Sequence, residues 1–156
     1  MKRAALLLLA LWPAAVCAAE QEPVVGAELQ VAEGDLAARP RAAFASAAGV
    51  YLAVWQDGWP GLGATADVFG VRLKPGTLEP LDKEPLKIGA GPEAQSEPAV
   101  AAADDLFLVV WQDFRNGRDL DVRGALVDAK TGQVRGGEIE IAGRPKNQAR
   151  PAAAWT

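Results

Sequence analysis

The chain has no histidine, and its 156 residues hold one cysteine, one methionine and one tyrosine. Without histidine it lacks the commonest general base, the commonest metal ligand and the usual pH switch near neutrality. The only serines are Ser46 and Ser96, so no familiar nucleophilic triad can be assembled and no catalytic residue is expected. There is no Gly-rich phosphate loop and no Cys/His cluster, so neither cofactor nor metal is expected. Basic clusters are missing too. The formal charge is −4, and a mildly acidic chain argues against a nucleic-acid partner, whose binding rests on phosphate neutralisation.

Long apolar runs are also scarce. The longest stretch lies at the start, where Met1-Lys2-Arg3 precedes the apolar residues 4–11 and Trp12. It is shorter than the roughly 20 residues a membrane span needs, so no transmembrane span is expected. Small residues follow at Val16-Cys17-Ala18-Ala19, which suits signal-peptidase cleavage after Ala18 or Ala19. Residues 1–19 read as a signal peptide, and the protein as exported to the periplasm, the cell surface or the medium. A second reading takes Cys17 as the lipid-anchored cysteine of a lipoprotein, with Val16 departing from the lipobox pattern at Ala14-Ala15-Val16-Cys17. Otherwise the mature chain has no cysteine and must hold together without disulfides in an oxidising compartment.

What the sequence does contain is a repeat. Residues 106–127 read LFLVVWQDFRNGRDLDVRGALV, and residues 50–73 read VYLAVWQDGWPGLGATADVFGVRL. Each is an apolar run closed by Trp-Gln-Asp, then a turn, then a second run opened by Asp-Val-x-Gly. Runs of small residues precede both, at 42–46 and 98–102, and short strands follow at 86–88 and 138–141. The connection between Trp55 and the next strand is read as a loop over 56–66. A repeat of roughly 50 residues with four short strands is the signature of a β-propeller blade. The expected fold is therefore all-β: two four-stranded antiparallel propeller-type blades plus an N-terminal orphan strand, as a fragment of a larger propeller. Residues 20–41 form a lead-in with the orphan outer strand at 27–32. Residues 42–97 are the first repeat, 98–150 the second, and 151–156 the opening of a truncated third. Two blades are too few to close a ring, so missing blades or self-assembly is expected to complete it.

The pattern VVWQDFRNGRDLDVRGALVD resembles a tandem repeat of exported bacterial proteins, V-W-x-D-x-R-x-G-x-x-D-[IV], found in β-propeller-like domains. It is more distantly similar to the blades of sialidase and TolB-like propellers. The second copy carries the pattern at Trp111, Asp113, Arg115, Gly117, Asp121 and Val122. The first keeps Trp55, Asp57, Asp67 and Val68, while GWPGLGATA replaces the Arg-Asn-Gly turn. The sialidase-type Asp box is absent. The resemblance implies a fold, and a fold does not fix a function.

Residues shared by both copies read as structural: Trp55, Asp57, Asp67 and Gly70 in the first, Trp111, Asp113, Asp121 and Gly124 in the second. The two tryptophans are expected in inter-blade packing. The glycines are expected where a neighbouring group approaches the strand closely. Asp113, Asp119 and Asp121 invite a calcium-loop reading, but Arg115 and Gly117 stand where ligands belong, and a hairpin-fixing role fits better. Tyr51 corresponds to Phe107 and reads as core. Residues particular to one copy are the binding candidates: Trp59, Arg115, Asn116 and Arg118. The expected function is a non-catalytic, exported scaffold that recognises protein or carbohydrate. The alternative is a fragment of a glycosidase-like propeller enzyme whose catalytic residues lie in other blades, since a carboxylate pair is not excluded by residue types.

Overall fold

The computed structural model describes residues 42–58 and 65–155. The signal-peptide, lead-in and orphan-strand expectations, Trp59 and Thr156 lie outside the described residues. Among the described residues, eight strands form two four-stranded antiparallel sheets. The first contains β1 (Ala42–Ala47), β2 (Val50–Gly58), β3 (Ala66–Leu73) and β4 (Leu86–Gly89), in that order. The second contains β5 (Gln95–Ala103), β6 (Leu106–Asp113), β7 (Asp121–Asp128) and β8 (Val134–Ala142). Among the described residues no helix is long and apolar enough to cross a membrane.

Two meanders arise because each repeat places short turns between β-favouring runs. Ala48 and Gly49 take φ of 49° and 71°, the two left-handed residues that a tight hairpin needs to match strand twist. Asp104 takes the corresponding conformation between β5 and β6, with φ 48°. The β2–β3 hairpin extends further than the sequence suggests. Gln56 pairs with Val68, Asp57 with Asp67 and Gly58 with Ala66, so the loop is shorter than 56–66. β8 is likewise longer than 138–141. Gly136 and Gly137, with φ of 73° and 77°, let it resume pairing beyond a register shift.

The equivalence of the sheets extends to their irregularities. The β3–β4 ladder slips between Val68 and Phe69, and the β7–β8 ladder between Val122 and Arg123. The segments leaving the two sheets also match, as Pro92-Glu93-Ala94-Gln95-Ser96-Glu97-Pro98 and Pro145-Lys146-Asn147-Gln148-Ala149-Arg150-Pro151. Glu93 and Lys146 both have positive φ, and so do Glu97 and Arg150. Each segment also crosses the start of a third strand: Ala94 bridges Ala66, and the Gln148 N–H donates to the Leu120 carbonyl at 2.6 Å.

One core lies between the sheets. The first contributes Leu52, Val54, Val68 and Ile88; the second contributes Phe107, Val109, Trp111, Ala125 and Val127. These are opposite faces of equivalent strands. Leu52 and Val54 correspond to Leu108 and Val110, whereas Phe107, Val109 and Trp111 correspond to Tyr51, Ala53 and Trp55. The packing is therefore head to tail, a heterologous contact between two copies of one unit. A second clasp spans it. Arg72 pairs with Asp82 at 2.5 Å, donates to the Ala129 carbonyl at 3.3 Å and also reaches the Lys130 carbonyl in the β7–β8 turn.

Candidate functional site

β6 alternates so that Phe107, Val109, Trp111 and Asp113 all point toward the first sheet, and Trp111 and Asp113 are fully buried. The Trp111 indole lies on Gly89 of β4, where an added Cβ would stand 2.7 Å from the ring. Its Nε1–H donates to Asp113 Oδ2 at 3.1 Å. Asp113 also accepts the Arg115 backbone N–H at 3.0 Å, and the Arg115 Nε and Nη2 groups at 2.7 Å each. That two-pronged geometry is the strong form of a guanidinium–carboxylate pair. Arg115 Nη2 also meets Glu138 Oε2 at 2.6 Å and the Ala90 carbonyl at 3.4 Å, while Glu138 Oε1 accepts the Ala90 N–H at 3.1 Å. The Trp-x-Asp-x-Arg triplet thus seals the second sheet onto the exit of the first.

Electrostatics agree with this closure. Burial opposes the Asp113 charge, but the Arg115 side chain and backbone and the Trp111 indole outweigh it and hold the carboxyl below its usual range. Hydrogen bonding to Asp113 raises Arg115 against the opposing effect of burial, with Glu138 adding to the rise.

Beyond the joint, the β6–β7 turn is organised by Asn116. Its Oδ1 accepts the Arg118 and Asp119 N–H groups at 2.8 and 3.1 Å; its Nδ2 donates to Asp119 Oδ1 at 2.7 Å and Asp121 Oδ2 at 3.1 Å. Gly117 takes φ 66° there. Asp119 Oδ2 accepts the Lys146 N–H at 2.9 Å, and the Leu120 N–H donates to Asn147 Oδ1 at 2.9 Å. The acids of this turn fix a hairpin to the segment leaving β8. Among the described residues no group of three or more His, Cys, Asp or Glu is placed to hold a metal ion.

A polar cleft of about 470 Å³ opens beside the turn, with Arg118, Asp119, Asp121, Arg123, Glu140 and Arg144 on its walls. Arg115 and Asn116 also border it. Arg123 pairs with Glu140 at 3.0 Å, yet its Nε is buried with no hydrogen-bond partner. The side chains of Arg118 and Arg144 make no hydrogen bond or ion pair among the described residues. The cleft mixes acids with arginines, and its unfilled donors on Arg118, Arg123 and Arg144 suit a ligand that offers oxygen acceptors.

The first repeat places its equivalents differently. Trp55 is half-buried and stacks on Phe69 at 6.5 Å between centroids, while Asp57 is exposed. Asp67 pairs with Lys87 at 2.8 Å, and Lys87 Nζ stands 6.0 Å over the Phe69 ring. Tyr51 is half-buried beside Phe44, whereas Phe107 is fully buried. Gly70 and Gly124 are close-approach sites beneath isoleucines. An added Cβ would meet Ile88 Cδ1 at 2.7 Å and Ile141 Cδ1 at 2.9 Å. Sequence reasoning missed Glu138, Gly89 and the Arg72–Asp82 clasp, none of which belongs to the shared Trp-Gln-Asp and Asp-Val-x-Gly motifs. Comparison of the chain with protein-family models, curated proteins and solved structures finds no match.

Proposed function

We propose that this chain is an exported, non-catalytic scaffold segment of β-propeller type, whose copy-specific turn recognises an acceptor-rich ligand, a carbohydrate before a protein. One observation carries this reading. The Trp-Asp-Arg triplet of the second repeat is consumed in fastening sheet to sheet, while the unfilled donors Arg118, Arg123 and Arg144 gather at the cleft beside the β6–β7 turn. Head-to-tail packing supports a propeller-type arrangement, because heterologous contacts propagate from unit to unit until a ring closes. Sugar hydroxyls and carboxylates present the clustered oxygens that guanidinium groups recognise.

The test is a glycan array with the mature chain, followed by calorimetry on the hits and on an Arg118→Ala/Arg144→Ala double variant. The expected result is glycan binding that the double variant loses while its melting temperature is unchanged. Binding that survives the double variant would remove the cleft from the proposal. Binding confined to acidic peptides would replace carbohydrate by protein. Export has its own readout: N-terminal sequencing of protein from outside the cytoplasm should begin just after Ala18 or Ala19.

A further inference from the structure

The face of the second sheet that points away from the first carries no further sheet among the described residues, though Val110 and Gln112 on it are only 4% and 6% exposed, and it closely copies the face the first sheet uses to hold the second. The buried face of the first sheet is built from Leu52, Val54, Gln56, Val68, Gly70, Leu86 and Ile88. The register places Leu108, Val110, Gln112, Val122, Gly124, Ile139 and Ile141 at the same positions of the second sheet. Ile139 and Ile141 are 43% and 49% exposed, where Ile88 is 4% exposed. Exposed large side chains are ordinary one at a time, but a contiguous apolar face with a buried twin in the same molecule marks a contact surface.

Alongside this face, Ala154 and Trp155 line an apolar hollow of about 270 Å³ with Ala101, Ala103, Leu108 and Leu126. They follow Pro151 as Ala101 and Ala102 follow Pro98, and β5 itself packs on the first sheet. The segment leaving β8 is thus directed onto the free face, as the segment leaving β4 is directed onto the occupied one.

Two substitutions set the free face apart. Leu126 stands where Arg72 stands, so the guanidinium that clasps the next sheet's turn is replaced by an apolar side chain. Ala142 stands where Gly89 stands, opposite Val122 as Gly89 is opposite Val68. The Gly89 seat accepts Trp111 only because it lacks a Cβ; one added there would stand 2.7 Å from the ring. A tryptophan docked in the same way on the second sheet would meet the Cβ of Ala142.

We infer that the free face of β5–β8 is the seat of a further sheet of this repeat type, one carrying a residue smaller than tryptophan at the position of Trp111, and that Ala142 denies the seat to a second copy of this chain. The inference rests on the head-to-tail reading of the proposed function. A second copy offers its β1–β3 face, with Trp55 at the excluded position and no described arginine equivalent to Arg115. Ala142 therefore acts as a selectivity element between a partner repeat and self-association.

Sedimentation velocity on the mature chain over a wide concentration range tests this, with Ala142→Gly and Trp55→Leu as separate variants. The expected result is weak or absent association of the parent, and association tightened about tenfold or more by either change, because each removes one side of the overlap. Ile141→Lys, on an exposed residue, should abolish the association gained by Ala142→Gly. Tight head-to-tail association of the parent would overturn the role of Ala142. Association unchanged by both variants, or persisting with Ile141→Lys, would overturn the seat. Near-UV circular dichroism and urea unfolding of the parent separate these outcomes from failure of the two-sheet reading, which a non-cooperative parent would indicate.

Discussion

Trp55-Gln56-Asp57 and Trp111-Gln112-Asp113 are the same three residues at the same place in two equivalent strands, yet they live in different surroundings. Trp111 and Asp113 are fully buried, with Gly89 beneath the ring and Arg115 and Glu138 around the carboxylate network. Trp55 is half-buried on Phe69, and Asp57 is exposed. The difference does not lie within the triplet. The second unit completes its joint with Gly89 and Ala90 of the unit before it and with Arg115 and Glu138 of its own sheet, so the motif is a plug whose energetic weight depends on groups outside the triplet.

The largest effect should come from truncating the plug. Trp111→Ala removes a fully buried indole and leaves a cavity between the sheets, which costs about 3–5 kcal/mol. Trp55→Ala removes a half-buried ring from an open face and should cost about 1–2 kcal/mol on area grounds. Urea unfolding of the two variants makes the comparison directly. Equal losses would mean that the two joints are equally filled and that the asymmetry is wrong.

Next comes the charge inside the plug. Arg115→Ala leaves Asp113 buried beside Trp111 without its partner. Breaking a buried pair from one side is strongly destabilising, here about 3 kcal/mol because Arg115 keeps some solvent contact. Asp57→Ala, on an exposed carboxylate, should stay within about 0.5 kcal/mol. The sign of the pH effect follows from Asp113. Its folded carboxyl titrates below the usual 3.8, so its stabilising contribution is complete above that value and is lost as pH falls through the lower folded value. Asp113→Asn should therefore weaken the chain at neutral pH and flatten part of its acid sensitivity. A variant with an unchanged acid limb would show that Asp113 is not a source of that sensitivity.

The socket is testable by itself. Gly89→Ala places a Cβ against a ring that has no room to retreat, and overpacking of this kind costs about 1–3 kcal/mol. Pairing it with Trp111→Leu should recover part of that loss, since contacting residues are energetically coupled. Additive losses would show that Gly89 does not receive the indole.

These contrasts show which parts of the molecule were legible. The hairpins, the two-sheet division and the shared triplet could be read from alternation and repetition, because local pattern dictates strand faces and turns. The loop bounds were misjudged where Gln56 and Asp57 continue the ladder, since polar residues at a strand end carry no apolar signal. Arg115 looked copy-specific and hence ligand-facing. The structure places it in the joint, beside a carboxylate at Glu138 that lies outside the Trp-Gln-Asp and Asp-Val-x-Gly motifs. Arg118 and Asn116 border the cleft as residues of the same turn. Arg72, Gly89 and Ala142 gain their meaning only from a face that a neighbouring sheet covers, and no single-strand pattern announces such a face.

The smallest effect concerns the turns that follow the third strands. In both repeats an N–H closes the turn on the residue ending or following the strand: Leu78 on the Lys74 carbonyl at 2.9 Å, and Gly132 on the Asp128 carbonyl at 2.8 Å. The second turn adds a carboxylate. Asp128 accepts the Thr131 N–H at 2.7 Å and the Lys130 N–H at 2.9 Å, and pairs with Arg135. The Thr131 backbone N–H, and then Arg135, lower its carboxyl from 3.8 to about 2. Its stabilising contribution is complete above about pH 4 and is withdrawn as pH falls toward 2. The first turn has Lys74 at this position, 3.9 Å from Glu79 in an exposed pair, which contributes little. Asp128→Asn keeps an oxygen acceptor for both N–H groups and loses the charge together with the oxygen that receives Arg135. Urea midpoints at pH 7, 4, 3 and 2 should therefore show a small loss at neutral pH and a shallower decline below pH 4 than in the parent. The same decline in both would place acid sensitivity outside this turn, while a shallower one would make the second turn more acid-sensitive than its counterpart.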